Sequence, residues 1–427
     1  MKMKCAFSVV PLLASVAAVA APTVTVNSIA TGADGVVTAT YTLAGGPAIV
    51  TLDIRDGGVS LPATAKRGVT GAANRLLDDG EHTVTWNPAV AWRGKVSSRI
   101  SFALAAWSPD NPPGYLVFDL TADTACRKAY YASTNEIPGG LLENEKYRRT
   151  SLVMRRVRAK DVAWTMGTPA SSPFAHTAET EHDVTLDHDY YMGVFPLTRG
   201  QYATVTGNWL PVATENGAEA ICAMRPVIRL NYATARGDDL YPSAPSASSV
   251  VGRIAARTGE ATFDLPSEAE WEFAARGGHA GETWGDGSAV GSNSWDDNLN
   301  ALGRNVKNNG RGSVKDGTAE SYPIVGSYKP NDYGFYDMNG GVFELCLDWY
   351  EADITWNATG MPNANGAMTV EGSPSAAAGT APTLRVRRGG CYFSNTEYCR
   401  NSFRRSNVLP SNYISEQGIR LVCRDGL

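Results

Sequence analysis

Histidine is scarce, with five residues in a chain of 427. His82, His176, His182, His188 and His279 never stand four apart, so the helical two-histidine zinc motif of metallohydrolases is excluded. No two cysteines have C-x-x-C spacing, which removes zinc-ribbon and thioredoxin-like chemistry. Positive charge is in deficit, 38 Lys and Arg against 43 Asp and Glu, so nucleic acid is not an expected partner. Past the first twenty residues no apolar run is long enough to span a bilayer, and no transmembrane segment is expected in the mature chain. Sequence periods of solenoid or propeller type are also missing.

What is present begins with a leader. Lys2 and Lys4 precede an apolar run that closes on Ala18-Val19-Ala20, the pattern of a secretory signal peptide over residues 1–20. The mature protein is therefore expected to be secreted, periplasmic or held at the cell surface, where cysteines default to disulfides or buried thiols.

Residues 21–107 read as an all-β sandwich of immunoglobulin or fibronectin type. Val37, Ala39, Tyr41 and Leu43 alternate with threonines, and Ala48, Val50, Leu52 and Ile54 repeat the period of two. Ala44-Gly45-Gly46, Asp56-Gly57-Gly58 and Asp78-Asp79-Gly80 supply turns. Clustered prolines at Pro109, Pro112 and Pro113 predict a stiff connector, and residues 108–150 read as linker and bridging segment.

From 151 to 427 short strands, a few helices and long polar loops predict an irregular α+β domain. Two helices have a physical start and stop. Thr198 with Gln201, and Ser267 with Glu270, form capping-box patterns, and Gly207 and Gly277 are placed to end the helices. Loops Ser288 to Thr318 and Glu351 to Pro382 are long enough to suggest function or mobility.

Six blocks in order resemble the formylglycine-generating enzymes, the sulfatase-modifying factor family. They are LVMRRVRAKDVAWTMGT from Leu152, VTLDHDYYMGVFPLTRGQY from Val184, FDLPSEAEWEFAARGG from Phe263, Trp284-Gly285-Asp286, NDYGFYDMNGGVFELCLDWY from Asn331, and the terminal block LRVRRGGCYFSNTEYCRNSFRRSNVLPSNYISEQGIRLVC from Leu384. The resemblance implies a C-type-lectin-like fold. It also implies two catalytic, copper-binding cysteines, with four residues between them, that oxidise a cysteine of a client sulfatase. Those positions are Ser394 and Cys399 here. A hydroxyl is a poor Cu(I) ligand, so copper is not expected and the oxidase becomes the alternative function. Cys391, on an extended segment, would project on the face opposite Ser394 and could not replace the missing thiol.

The resemblance further implies calcium, with Asp286 and Glu344 as its candidate ligands, although Gly341 stands where the family carries an asparagine. It implies a disulfide between Cys346 and Cys399. In the terminal block, Tyr392, Tyr398, Arg400 and Arg404 form a mixture suited to a protein, peptide or glycan ligand outside the cell. Internal ion pairing is the competing role for Arg404 and Arg420. Related retroelement-diversified proteins use this block as a ligand-binding face.

Overall fold

The computed structural model describes residues 21–95, 97–121, 127–209, 219–237, 243–291, 296–308, 322–350, 384–406 and 414–424. The leader, Cys126, Tyr413 and the loop 351–382 fall outside the described residues, and the loop 288–318 is described in part.

The N-terminal region is all-β. One antiparallel sheet runs in the order Thr23–Thr31, Val37–Ala44, Gly80–Trp86, Val69–Gly71. A second is built around Ala48–Asp56, which pairs with Val59–Ser60, Arg75–Leu77 and Ile100–Trp107. The alternation read from the sequence is the reason. Val37, Ala39, Tyr41 and Leu43 face inward while the intervening threonines stay partly exposed. They meet Val50, Leu52, Ile54 and Trp86 in one apolar core.

The strand Ala48–Asp56 departs from simple alternation because both of its faces are covered. Ile49, on the outer face, joins the core of the following domain. On the same face Thr51 accepts the Trp107 indole N–H at 3.0 Å, and Asp53 accepts Lys66 Nζ at 2.6 Å. Lys66 is buried and also donates to Ser60 Oγ at 2.8 Å and the Asn135 carbonyl at 2.9 Å. One ammonium thus ties the sandwich to a segment that follows it.

That segment bridges into the next sheet. Tyr115–Asp119 and Arg127–Tyr131 supply two strands of a six-stranded sheet, in the order Arg127–Tyr131, Tyr115–Asp119, Ser151–Val157, Tyr190–Gly193, Val422–Cys423, Phe263–Asp264. The six-stranded sheet therefore starts before residue 151. The prolines at its entrance are fixed by side chains, with Arg156 donating to the Pro112 carbonyl at 2.7 Å and Tyr191 Oη to that of Pro113 at 2.5 Å.

The rest of this region is mixed α+β. Both capping boxes form. Thr198 and Gln201 bond reciprocally at the start of Arg199–Thr206, as do Ser267 and Glu270 at the start of Glu268–Arg276. Gly207 and Gly277 close the two helices in the left-handed conformation, which glycine adopts without steric penalty. A smaller sheet, Arg405–Ser406, Arg385–Arg388, Phe343–Trp349, Gln417–Gly418, lies beside the helix Glu268–Arg276 and carries the terminal block.

Candidate functional site

The strand Arg385–Arg388 is buried along its length despite three arginines in four residues. Burial is tolerated because the helix Glu268–Arg276 and its neighbours present carboxylates. Arg388 pairs with Glu272, and also donates to the carbonyls of Ser402 and Phe403 at 2.7 Å each. Arg276 reaches the same Glu272 at 2.6 Å, and the two guanidiniums hold that carboxyl below its usual range although burial alone would raise it.

Gly389 and Gly390 then turn the chain at φ 92° and 75°. A Cβ on Gly390 would lie 2.7 Å from Cys399 Sγ and equally close to the Tyr398 carbonyl, so the close approach admits only glycine. Past it, Ser394 N donates to the Cys391 carbonyl at 2.9 Å, closing a four-residue turn. The turn corrects the extended reading: Cys391 Sγ lies 3.2 Å from Ser394 Oγ, on the same side. Ser394 Oγ also accepts Cys391 N–H at 3.0 Å. Asn395 caps the short helix Thr396–Cys399, and Asn339 Nδ2 holds the Cys399 carbonyl at 2.9 Å.

Cys346, Cys391 and Cys399 are free, fully buried thiols. The expected Cys346–Cys399 disulfide is therefore not formed, and packing shows why. Cys346 belongs to the cluster of Trp271, Phe273 and Val386, whereas Cys399 sits with Trp284, Leu299 and Leu302. Burial pushes Cys399 well above the ordinary thiol range, and the neighbouring Cys391 adds to the shift. Burial likewise takes Cys391 up to about 11, with the Ser394 hydroxyl acting in the other direction. Both sulfurs are shielded from solvent, whereas reactive cysteines are partly exposed. The Ser394 hydroxyl in place of one sulfur does not fit a two-thiolate copper site.

The proposed calcium ligands do not fit calcium either. Glu344 gives Oε2 to the Trp271 indole at 2.6 Å and to Arg420 Nε at 2.9 Å, and Oε1 to Arg420 Nη2 at 2.8 Å. Asp286 is occupied by Ser288 and by Lys329 Nζ at 3.0 Å. A cation needs oxygens not already facing donors.

Of the four expected ligand contacts, two are engaged within the fold. Arg400 is 1% exposed and donates to Glu179 Oε2 at 2.8 Å, Thr168 Oγ1 at 3.0 Å and Ser402 Oγ at 3.1 Å. Arg404 bonds Glu268 with two nitrogens, Nη2 to Oε2 at 2.9 Å, and the Ala178 carbonyl at 2.8 Å. Both guanidiniums serve the fold first, which for Arg404 is the competing role of internal ion pairing. Tyr392 and Tyr398 are half-buried and diverge. Tyr392 packs edge-on against Tyr322, with centroids 4.8 Å apart, and Tyr398 against Phe403 at 5.0 Å.

Beside this block opens a cleft of about 780 Å³, lined by Phe174, Tyr350, Arg387, Phe403, Arg404 and Arg405 among others. Phe174 and Glu179, which shape its far wall, carried no sequence signal. They come from a stretch 221 residues away from Arg400 along the chain, where only tertiary contact gives them a role.

The model of the sulfatase-modifying factor enzyme 1-like domain matches residues 137–425. The formylglycine-generating enzyme of Thermomonospora curvata is 33% identical over 167 residues, covering 36% of this chain and 48% of that protein. That of Streptomyces coelicolor is 36% identical over 165 residues, with 36% and 45% covered. The chain spans about half the length of these curated relatives. Among solved structures, Treponema denticola variable protein 1 aligns at TM-score 0.46 and 24% identity, over 64% of this chain and 96% of that one.

Proposed function

Because this chain belongs to the sulfatase-modifying factor enzyme 1-like family, we propose that it is an exported recognition protein whose family domain binds a protein, peptide or glycan outside the cell, without copper oxidase activity. The observation that carries this reading is the chemistry around Ser394. Where the family resemblance asks for a thiolate, a hydroxyl is engaged with the Cys391 backbone, and Cys399 is a fully buried thiol. The adjoining cleft is open, with aromatic and arginine walls suited to capture of a ligand.

Incubating the protein with Cu(I), oxygen and a cysteine peptide of sulfatase type, followed by mass spectrometry, tests the reading. No aldehyde is expected, and conversion of cysteine to formylglycine would overturn it. One observation favours the oxidase as a second reading: Cys391 Sγ lies 3.2 Å from Ser394 Oγ and so brings a second sulfur near the Cys399 loop. Stoichiometric Cu(I) binding by the unmodified protein, lost in Cys399→Ser, would favour that alternative. Export rests on the leader alone, and fractionation of cells expressing the full chain checks it.

A further inference from the structure

Several buried arginines of this domain keep a nitrogen without a hydrogen-bond partner among the described residues, Arg385 and Arg388 on the same strand included; Arg387 is the one of them that lines the cleft. Its side chain is 6% exposed, yet Nη1 has no hydrogen-bond acceptor among the described residues. The nearest carboxylate, Glu416 Oε1, stands at 3.9 Å, beyond hydrogen-bond reach. Nε is used by the Ser406 carbonyl at 3.2 Å. An unsatisfied N–H on a buried guanidinium is costly unless something from outside completes it.

Arg405 is a second cation on the same wall. It is exposed, lies over the rings of Tyr398 and Phe343, and makes no ion pair among the described residues. Burial, together with the like charge of Arg405, pulls Arg387 down to about 10, so an anion placed between the two would be stabilised by both. Two carboxylates lie on the cleft wall. Glu179 is engaged with Arg400 and Thr168, which leaves Glu397 on the wall, and Glu416 at 3.9 Å from Arg387 Nη1, as the carboxylates near the two arginines.

Shape adds a second constraint. Arg405–Ser406 is the edge strand of its sheet, paired with Val386 and Arg387 on one side and with no strand on the other among the described residues. An open edge accepts an extended backbone by adding a strand, a mode available to peptides and not to sugars. Phe174, Tyr350 and Phe403 offer apolar surface for side chains next to the anionic one.

We propose that this cleft binds an extended acidic peptide, whose backbone runs along the Arg405–Ser406 edge and whose carboxylate is held by Arg387 and Arg405. The proposal rests on the recognition function proposed for the same domain and gives it a ligand class.

Fluorescence anisotropy of the full chain with a labelled octapeptide of alternating Glu and Val tests it. A Gln/Val octapeptide and a labelled oligogalacturonate run beside it. Saturable binding of the Glu peptide is expected, weakened about tenfold or more by the Gln replacement, by Arg405→Glu and by raised salt. Arg387→Gln alters a buried side chain, so the exposed Arg405→Glu variant, checked for native circular dichroism, is the deciding one. Equal affinity for the Glu and Gln peptides, an unchanged Arg405→Glu variant, absence of saturable binding, or preference for the uronate would each overturn the acidic-peptide assignment. Uronate or neutral-peptide binding would leave the recognition function standing. Copper-dependent conversion of a cysteine peptide would remove that function whatever the anisotropy shows.

Discussion

The N-terminal sheets and the domain that follows bury different chemistry. Inside the sandwich the core is apolar, from Val37 and Leu43 to Leu52 and Trp86. The following domain buries Arg236, Arg388, Arg400, Arg404 and Arg420 together with Glu268, Glu270, Glu272 and Glu344. The difference follows from where backbone hydrogen bonds go. Long strands satisfy their own N–H and C=O groups by pairing, so their side chains are free to be apolar. Short strands and loops leave carbonyls inside, and something must donate to them. Arg420 illustrates this: besides its ion pair to Glu344 it donates to the carbonyls of Gly193, Val194 and Tyr336 at 2.8–3.0 Å. An arginine with five donors and a carboxylate to neutralise it is a cross-link for irregular backbone.

The sharpest way to break this contrast is to remove one carboxylate. Glu344→Ala leaves Arg420 buried without its counter-ion and the Trp271 indole without an acceptor, and should cost ~3–5 kcal/mol in urea unfolding. Leu52→Ala, in the sandwich core, should cost ~2–4 kcal/mol, with a cavity as the sole loss. If the leucine variant were the more damaging of the two, the ion pairs would not be the framework described.

A third substitution sharpens the contrast in the opposite direction. Asp337 is buried with Oδ2 accepting Gly326 N–H at 2.7 Å and Oδ1 without a hydrogen-bond partner among the described residues. Burial pushes its pKa up to about 6 from an ordinary 3.8, despite the Gly326 bond and the charge of Arg420. A raised carboxyl penalises the native state as pH climbs through that window, so stability should fall between pH 4 and 6. Asp337→Asn keeps the acceptor and tolerates the φ of 58°, and should raise stability at pH 7 by ~1–3 kcal/mol while flattening that pH slope. A loss of stability would show that Asp337 is paired in a way the ion-pair framework needs.

The smallest effect concerns His188, which bonds Glu270 Oε1 at 2.9 Å and Asp187 Oδ1 at 2.6 Å. Burial lowers its pKa, but the two carboxylates outweigh burial and hold it above 6.5. Its contribution is therefore full below pH 6.5 and is lost as pH rises through the folded value. His188→Gln should cost up to ~1 kcal/mol at pH 6 and next to nothing at pH 9, read from paired thermal melts. A cost that does not change with pH would assign His188 a packing role alone.

Legibility in the sequence followed the same division. The strands Val37–Ala44 and Ala48–Asp56 were readable because alternation is local, and both capped helices because a capping box spans four residues. The family could be read from blocks that keep their order. Two site expectations failed for one reason. The Cys391–Ser394 turn depends on Gly389 and Gly390 folding the chain back, and the cysteine pairing depends on which apolar cluster each sulfur enters. The arginines could be named as a group, but not sorted. Arg400 and Arg404 find Glu179 and Glu268 across 221 and 136 residues of chain, while Arg387, two strand positions from Arg385, is left with an unmatched nitrogen.

By itself, then, the sequence determined what short-range sterics and hydrogen bonding determine: the β-rich N-terminal region, the caps, the glycine turn and the ordered blocks of the family. Tertiary structure alone decided which charges cancel and which remain to face the cleft. A charge acts over distances that have no counterpart in residue spacing, and its value to the protein depends on what else is buried beside it.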